Sequence, residues 1–385
     1  MVLYEDNKAK YDAVSKDLFR LVQRDEKIHD VEFKTKPIGF FMDVWLRFVK
    51  NKASVIAAVI ILIISFFAVF GPGMNEYTYD EQHTELTNMP PKVPFIAKMN
   101  LGFFDGGYTM ENRKYDNLND PEKYPEGCIL EVINPRLVNG ERIVDVVVDY
   151  YKYKGLSDEQ CFWFGSDYLG RDIWTRMWRG ARVSLIIAVV SVCCNVFIGV
   201  VYGSISGYYG GKVDNVLMRF AEIVASIPFL PFAMILSAIV GNSLSEIQRI
   251  AVIMVILGVL SWPGLARLVR AQILAEREKE FVTAAKAMGI KELAIIFKHI
   301  LPNVITVVIV DTTLEFAACM LTESSLSFLG FGVIEPTPTW GNMLNGSQAS
   351  TVIQNYWWRW VFPSLALSLS TISINLIGDG LRDAI

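Results

Sequence analysis

The feature that most constrains this sequence is a set of apolar runs about as long as a lipid bilayer is thick. The first, residues 53–70, contains no charged side chain and can cross roughly 27 Å as a helix at about 1.5 Å per residue. Five further runs of similar length follow at residues 184–202, 223–240, 250–266, 304–322 and 362–377. These runs predict an all-α polytopic membrane protein with six transmembrane helices.

The distribution of Lys and Arg predicts the orientation of these helices, because cytoplasmic flanks accumulate both residue types. Residues 1–52 carry basic side chains near the first run, so this segment is expected to be cytoplasmic; they are Lys34, Lys36, Arg47, Lys50 and Lys52. Six crossings then return the C-terminus to the cytoplasm and place the basic loop 267–303 there. Residues 71–167 lie outside, and residues 168–385 form a core of five helices.

The outer segment 71–167 is too long for a simple connection, so a small folded insert is expected. Residues 143–153, rich in Val and Tyr, predict a strand within it. Cys128 and Cys161 both fall in this insert. Outside the cell they either form a disulfide or remain free thiols, and the sequence leaves both alternatives open.

The composition argues against several kinds of site in this chain. Five cysteines and three histidines show no spacing that suits a metal. The formal net charge is only −4, and the basic residues do not gather on one face, so nucleic acid is not expected as a partner. No GxxxxGK[ST] phosphate-binding loop occurs, so ATP has to bind elsewhere. About fifty residues precede the first run with no cleavage site after it, so that run is expected to remain in the membrane.

The segment between the fourth and fifth runs, residues 280–303, reads EFVTAAKAMGIKELAIIFKHILPN. Its first nine residues predict a short helix in which Ala284 and Ala285 leave a low-relief surface, and Gly289 ends that helix. A second helix is expected over residues 291–300, with a break at Leu301 and Pro302 before the chain re-enters the membrane. Such an elbow is typical of a docking element rather than a catalytic one.

This segment resembles the EAA loop of the permease subunits of ABC importers. The matching positions are Glu280, Ala284, Ala285, Gly289, Ile300, Leu301 and Pro302. The resemblance implies the permease fold of type I ABC importers, with a coupling helix that sits in a cleft of a separate ATPase subunit. Residues 168–385 would then be the permease core, and 267–303 its coupling loop.

Four further stretches are similar to the second permease subunit of the oligopeptide, dipeptide and nickel importers. They are GSDYLGRDIWTRMWRGARVSL at 165–185, GYYGGKVDNVLMR at 207–219, ESSLSFLGFGVIEPTPTWGNML at 323–344 and NLIGDGLRDA at 375–384. The insert is longer than this family's pattern, and the chain stops a few residues earlier.

The resemblance implies a complete assembly in a bacterial plasma membrane. Its parts are this multi-pass chain in contact with lipid, a second and different permease, two ATPase subunits that bind ATP and Mg, and an extracellular peptide-binding protein. This chain would be a transport subunit without a cofactor, not an enzyme. Oligopeptides are favoured over nickel as cargo because no His, Cys and Met cluster marks a metal route.

Three acidic residues in the fifth run and at its end are candidates for the translocation path. Asp311 and Glu315 lie one helical turn apart and therefore share a face, and Glu323 follows farther along. Intramembrane carboxylates usually face a bundle interior or a wet cavity. Asp311 and Glu315 are expected either to line the path and favour a peptide's amino terminus, or to be satisfied by Ser or Thr on a neighbouring helix.

Charged residues just before the second run are expected to pair near the outer surface, since Asp167, Arg171 and Asp172 lie within little more than one helical turn.

A secondary transporter or channel that works without an ATPase is the alternative function. It predicts internal repeats and paired broken spans, which the sequence does not show.

Overall fold

A computed structural model describes residues 39–97, 104–157, 160–240 and 245–385; most of the predicted segment 1–52 lies outside these ranges. The helices are α1 (Phe40–Lys50), α2 (Lys52–Phe70), α3 (Pro94–Ala97), α4 (Tyr150–Tyr153), α5 (Ile173–Tyr209), α6 (Gly211–Ala225), α7 (Phe229–Val240), α8 (Glu246–Glu276), α9 (Glu280–Ala287), α10 (Glu292–Ala294), α11 (Leu301–Phe328), α12 (Trp340–Met343), α13 (Ser350–Asn355) and α14 (Trp358–Ala384). The strands are β1 (Gly107–Lys114), β2 (Ile129–Val138) and β3 (Glu141–Asp149).

Five helical stretches are long and apolar enough to cross a membrane in the described part of the chain, and a bent pair brings the number to six if it counts as one span. The five are 52–73, 173–209, 246–276, 292–328 and 358–384. The predicted class of a polytopic helical membrane protein is confirmed. Several helices extend well past their apolar runs, and α5 alone has 37 residues.

The third predicted span, residues 223–240, is not one continuous helix. The pair of helices Gly211–Ala225 and Phe229–Ile239 is bent by 70° between its two halves. The break falls just before Pro228, which lacks a backbone N–H and disfavours helical conformation in the residue before it. The hydroxyl of Ser226 donates to the Ile223 carbonyl at 2.7 Å, so part of the freed backbone is satisfied locally.

Helices α5 and α8 approach each other closely because glycines line one face of α5. A Cβ on Gly199 would lie 3.0 Å from the Leu265 Cβ, and one on Gly207 would lie 2.8 Å from the Arg270 carbonyl oxygen. A Cβ on Gly203 would overlap the Ala266 carbonyl oxygen. Small residues spaced by four are a common means of bringing two membrane helices into direct backbone contact.

The predicted break at Leu301 and Pro302 is also absent. A π-helix over Ile295–Ile300 leads directly into α11, and Pro302 lies in the first turn of that helix. Proline is tolerated in a first turn, where its missing N–H has no partner to lose, and the wider π turn places the Leu301 N–H on the Ile296 carbonyl. Residues 292–328 therefore form one uninterrupted helical rod.

The insert contains a three-stranded antiparallel sheet in the order β1-β3-β2. The predicted strand 143–153 corresponds to β3 but ends earlier. The Asp149 carboxylate accepts hydrogen bonds from the Tyr151 and Lys152 amides and so starts α4. The buried Lys92 ammonium also pairs with Asp149 at 3.2 Å, which ties the sheet to the chain that enters it.

The two cysteines of the insert are free thiols, so the disulfide alternative is wrong for this structure. Cys128 is fully buried beneath the sheet, in one apolar cluster with Val144 and Val146. Cys161 packs in a separate cluster beside Tyr151 and Phe162. Each thiol thus acts as a small apolar side chain in its own core.

The close approach of α5 and α8 gives a testable stability prediction. Gly203→Ala should destabilise the subunit by about 1–3 kcal/mol, because the added methyl group cannot fit against Ala266 and Val269 without separating the helices. The matched control is Gly264→Ala on α8, where a Cβ meets nothing within 4 Å. Thermal unfolding of the purified subunit in detergent should show a lower midpoint for the first variant alone. Equal midpoints would contradict this packing.

Candidate functional site

Polar and exposed features concentrate at the two ends of the helical bundle. The end that carries residues 71–167 is called the insert end, and the end that carries α9 is called the loop end. The loop end presents a short helix with one open face. The insert end holds a cavity lined by charged side chains.

The seven predicted docking residues separate into a buried and an exposed group at the loop end. Ala285 and Ile300 are buried and, with Val282, belong to one apolar cluster that also includes residues of α5, α8 and α11. Glu280, Ala284, Gly289 and Pro302 are exposed, and Leu301 is half-buried. The buried group fixes α9 on the bundle, and the exposed group leaves one face of α9 open.

The anchoring of α9 extends to the end of α5. The Arg277 guanidinium donates to the carbonyl oxygens of Gly207 at 3.1 Å and Tyr208 at 3.2 Å. The Lys286 ammonium lies 5.2 Å from the centre of the Tyr208 ring. Gly289 follows α9 with φ of +74°, a backbone conformation that favours glycine. The short helix is therefore held in a defined position although it projects from the bundle.

Exposed apolar side chains accompany this open face, and the sequence pattern did not single them out. Met288 is 73% exposed, Leu293 is 58% exposed, and Phe281 is 38% exposed. Their presence on a surface next to small residues is typical of a protein-protein contact. The available signal was their position at either end of the two predicted short helices.

The carboxylates of α11 do not share one environment. Asp311 is half-buried and has no hydrogen bond or ion pair among the described residues, while Glu315 receives only a distant contact from the Cys319 thiol at 3.9 Å. Glu323 is completely buried and accepts hydrogen bonds from Ser184 at 3.0 Å and Ser327 at 2.7 Å. Glu323 is therefore enclosed by serines, and its predicted position along an open path does not fit the structure.

A cavity of about 490 Å³ opens at the insert end, between the start of α5, the segment after α11 and the start of α14. Its charged lining consists of Asp167, Arg171, Arg176, Glu335 and Arg359.

Arg171 is buried and links two carboxylates of this cavity. Its Nε donates to Asp167 at 2.7 Å, and its Nη2 donates to Glu335 at 2.7 Å. Burial alone would lower the pKa of Arg171, but the hydrogen bond that it donates to Glu335 and the charge of Asp167 raise it. Burial alone would raise the pKa of Glu335, but the hydrogen bond that it accepts from Arg171 holds that pKa below the usual value. Both groups therefore remain charged.

The predicted pairing of Arg171 with Asp167 is present, but Asp172 does not join it. The Oδ2 atom of Asp172 accepts hydrogen bonds from the Thr175 amide at 2.8 Å and from the Asn75 side chain at 2.7 Å, so Asp172 caps α5. The sequence pattern missed Arg176, Glu335 and Arg359. Their signal was a charged residue placed at the edge of an apolar run.

No group of three or more His, Cys, Asp or Glu side chains that could hold a metal occurs within the described ranges. The two candidate sites are thus a short helix with an exposed face and a charged cavity, at opposite ends of a helical bundle that spans the membrane. Such an arrangement suits a membrane transport subunit better than a catalytic centre.

Comparisons with known protein families identify this class more closely. The sequence model of one protein family, described as the binding-protein-dependent transport system inner membrane component, matches residues 199–385. The model described as the N-terminal TM domain of oligopeptide transport permease C matches residues 39–91. The chain belongs to this family of ABC importer permeases and has its type I fold.

Similar proteins include peptide permeases from several bacteria. The dipeptide transport system permease protein DppC of Bacillus subtilis is 31% identical over 94% of this chain and 91% of its own length. The oligopeptide transport system permease protein OppC of Haemophilus influenzae is 43% identical over 58% of this chain and 69% of its own. A solved structure of the inward-facing MetNI methionine ABC transporter is 20% identical, covers 54% of this chain and 96% of its own, and superposes with a TM-score of 0.44.

The ion pair of Glu335 gives a prediction for the pH dependence of stability. Because the folded-state pKa of Glu335 is lowered, its stabilising contribution is present above the unfolded value near 4.5 and is lost as the pH falls through the folded value. Glu335→Gln should therefore unfold at a lower temperature than wild type at pH 7. That difference should shrink as the pH falls below about 4.5.

Thermal unfolding of both proteins between pH 3 and pH 7 measures this difference. Other carboxylates, such as the Asp145 paired with Arg136 at 2.9 Å, are common to both proteins and cancel in the comparison. A difference that stays constant across the range would show that Glu335 does not carry this charge-dependent stability.

Proposed function

We propose that this chain is one of two different permease subunits of an ATP-driven importer that takes up oligopeptides. The observation that carries the proposal is α9, a firmly anchored helix that leaves an open face of small and apolar residues at the loop end. The relatives named above, which are dipeptide and oligopeptide transport permeases, support peptides as the cargo. Two separate ATPase subunits would bind ATP and Mg.

The proposed role of α9 is that of a coupling helix. Glu280, Ala284 and Gly289 would contact a cleft of the ATPase, since small residues permit close approach and Glu280 adds a charge at the start of the helix. Ala285, Ile300 and Leu301 would hold α9 against the bundle, and Pro302 would begin the rod behind it. Movement of the ATPase would then reach the transmembrane helices through these apolar contacts.

The proposed orientation places the loop end and both termini in the cytoplasm of a bacterial cell. The insert end would face outside, where an extracellular binding protein delivers peptides. The basic residues of 267–303 and the acidic bias of the insert support this orientation.

The proposed translocation path runs past Asp311 and Glu315. Both carboxylates lie midway along the rod 292–328, and neither is satisfied by a Ser or Thr hydroxyl from a neighbouring helix in the described residues. An intramembrane carboxylate without such a partner usually faces a wet or shared interface. The second permease would complete that interface, and the two charges would favour the amino terminus of a peptide.

The coupling role is tested first by Gly289→Val. A β-branched residue is strained at φ of +74° by about 1–3 kcal/mol, so α9 should lose its position. Peptide uptake and co-purification of the ATPase subunits should both fall by about tenfold or more. Gly140→Val is the control, because Gly140 has φ of +83° and open space around it in the insert.

The second coupling variant, Glu280→Arg, should lose ATPase association without backbone strain. If both coupling variants reach the membrane and retain normal uptake, the chain works without an ATPase. A secondary transporter or channel would then be the better explanation.

The path is tested by Asp311→Asn and Glu315→Gln. Each variant should lower uptake of a peptide with a free amino terminus by about tenfold. Uptake of the N-acetylated form should stay unchanged, because that form has no ammonium group to pair with either carboxylate. The control is Asp116→Asn, which removes an exposed carboxylate in the insert. Equal losses for both peptide forms would place the two residues outside amine recognition.

A further inference from the structure

The cavity at the insert end contains more positive than negative charge. Among the described residues, three guanidinium groups line it, from Arg171, Arg176 and Arg359, and they face two carboxylates, Asp167 and Glu335. Because guanidinium groups stay protonated in proteins, the cavity keeps this excess charge across the physiological pH range.

Four of the five charged groups satisfy one another. Arg171 bridges Asp167 and Glu335, and Arg176 approaches the same two carboxylates at 3.6 Å and 3.4 Å. Arg176 also donates to the backbone carbonyl oxygen of Tyr79 at 3.0 Å. This group is a closed network that needs no further ligand.

Arg359 is the exception. Its side chain is nine-tenths buried, yet within the described ranges its guanidinium makes a single hydrogen bond, from Nη1 to the Asn88 side chain at 3.2 Å, and pairs with no carboxylate. It also lies 5.3 Å from the centre of the Tyr168 ring. A guanidinium has five N–H donors, so several have no hydrogen-bond partner among the described residues, and Arg359 lines the cavity.

A buried charge without a paired counter-ion is costly, so an anionic group that pairs with Arg359 is favoured in this cavity. A planar guanidinium fork matches a carboxylate, which accepts two parallel hydrogen bonds from it. The volume of about 490 Å³ lies within the range of small-ligand sites, roughly 300–1,000 Å³. The cavity also offers apolar walls from Ile334 and Met343.

We infer that this cavity is a binding site for the C-terminal carboxylate of a peptide, with Arg359 as the residue that receives it. The inference rests on the proposed uptake of peptides. Asn88 and the ring of Tyr168 hold the Arg359 guanidinium in place, while Asp167 and Glu335 make their ion pairs with Arg171 and Arg176. The site would receive the end of the peptide opposite to the amino terminus that Asp311 and Glu315 favour.

The test compares uptake of an alanine tripeptide with uptake of its C-terminal amide, in cells that carry the full transporter. The binding protein discriminates between the two peptides to the same extent in every background, so only a change in their ratio reports on this chain. Arg359→Gln should lower the ratio of free-acid to amide uptake by about tenfold, since the acid loses a charge-assisted pair and the amide does not.

Two variants make this result specific. Arg359→Lys keeps the positive charge and should retain an intermediate ratio. Arg142→Gln removes an exposed arginine of the insert that lies over the Tyr115 ring and should keep the wild-type ratio. A second measurement uses the purified complex in nanodiscs without the binding protein, where the free-acid tripeptide should raise the thermal midpoint of wild type more than that of Arg359→Gln.

The outcomes separate this inference from the proposed function. Normal uptake of both peptides with an unchanged ratio in Arg359→Gln would overturn the carboxylate site and leave peptide import intact. An equal loss of acid and amide uptake would also overturn it, because Arg359 would then serve docking of the binding protein. Absence of uptake of either peptide in wild type would overturn the proposed function itself.

Discussion

The architecture depends on the direct contact between α5 and α8. The glycines of α5 remove the side chains that would separate the two backbones, and Leu265, Val269 and Ile273 of α8 fill the space. Lipid is as apolar as these side chains, so helix association in a membrane relies on close packing rather than on the hydrophobic effect. The same contact continues toward the loop end, where Arg277 reaches the last carbonyls of α5 and α9 finds its support.

The insert end is organised by charge instead of by small residues. Asp167 and Arg171 precede α5, Glu335 follows α11, and Arg359 begins α14, so one polar cavity joins three helices. Buried ion pairs contribute little net stability, but they fix geometry when all partners are present. The network thus defines a cavity of fixed shape at the end of the bundle where the chain has its largest loops.

The sequence predicted the features that depend on local patterns and missed those that depend on distant partners. Apolar runs were sufficient to place the long helices, and Gly289 was sufficient to end α9. Pro228 was a local signal for the bend, but the length of the apolar run around it favoured the prediction of one continuous helix. The break predicted at Pro302 was wrong, because no local sequence pattern indicates the π turn that lets the helix continue. Arg359 and Glu335 are far from Arg171 in the chain, so no spacing rule could bring them into one cavity.

The π-helix before α11 has a mechanical consequence. Because the chain does not break at Pro302, residues 292–328 form a single shaft that, at about 1.5 Å per residue, is roughly 55 Å long. Leu293 lies at one end beside α9, Asp311 lies near the middle, and Ser327 reaches the wall of the charged cavity at the other end. This continuous hydrogen-bonded helix therefore links the surface beside α9 physically to the residues around Asp311 and to the wall of the charged cavity at Ser327.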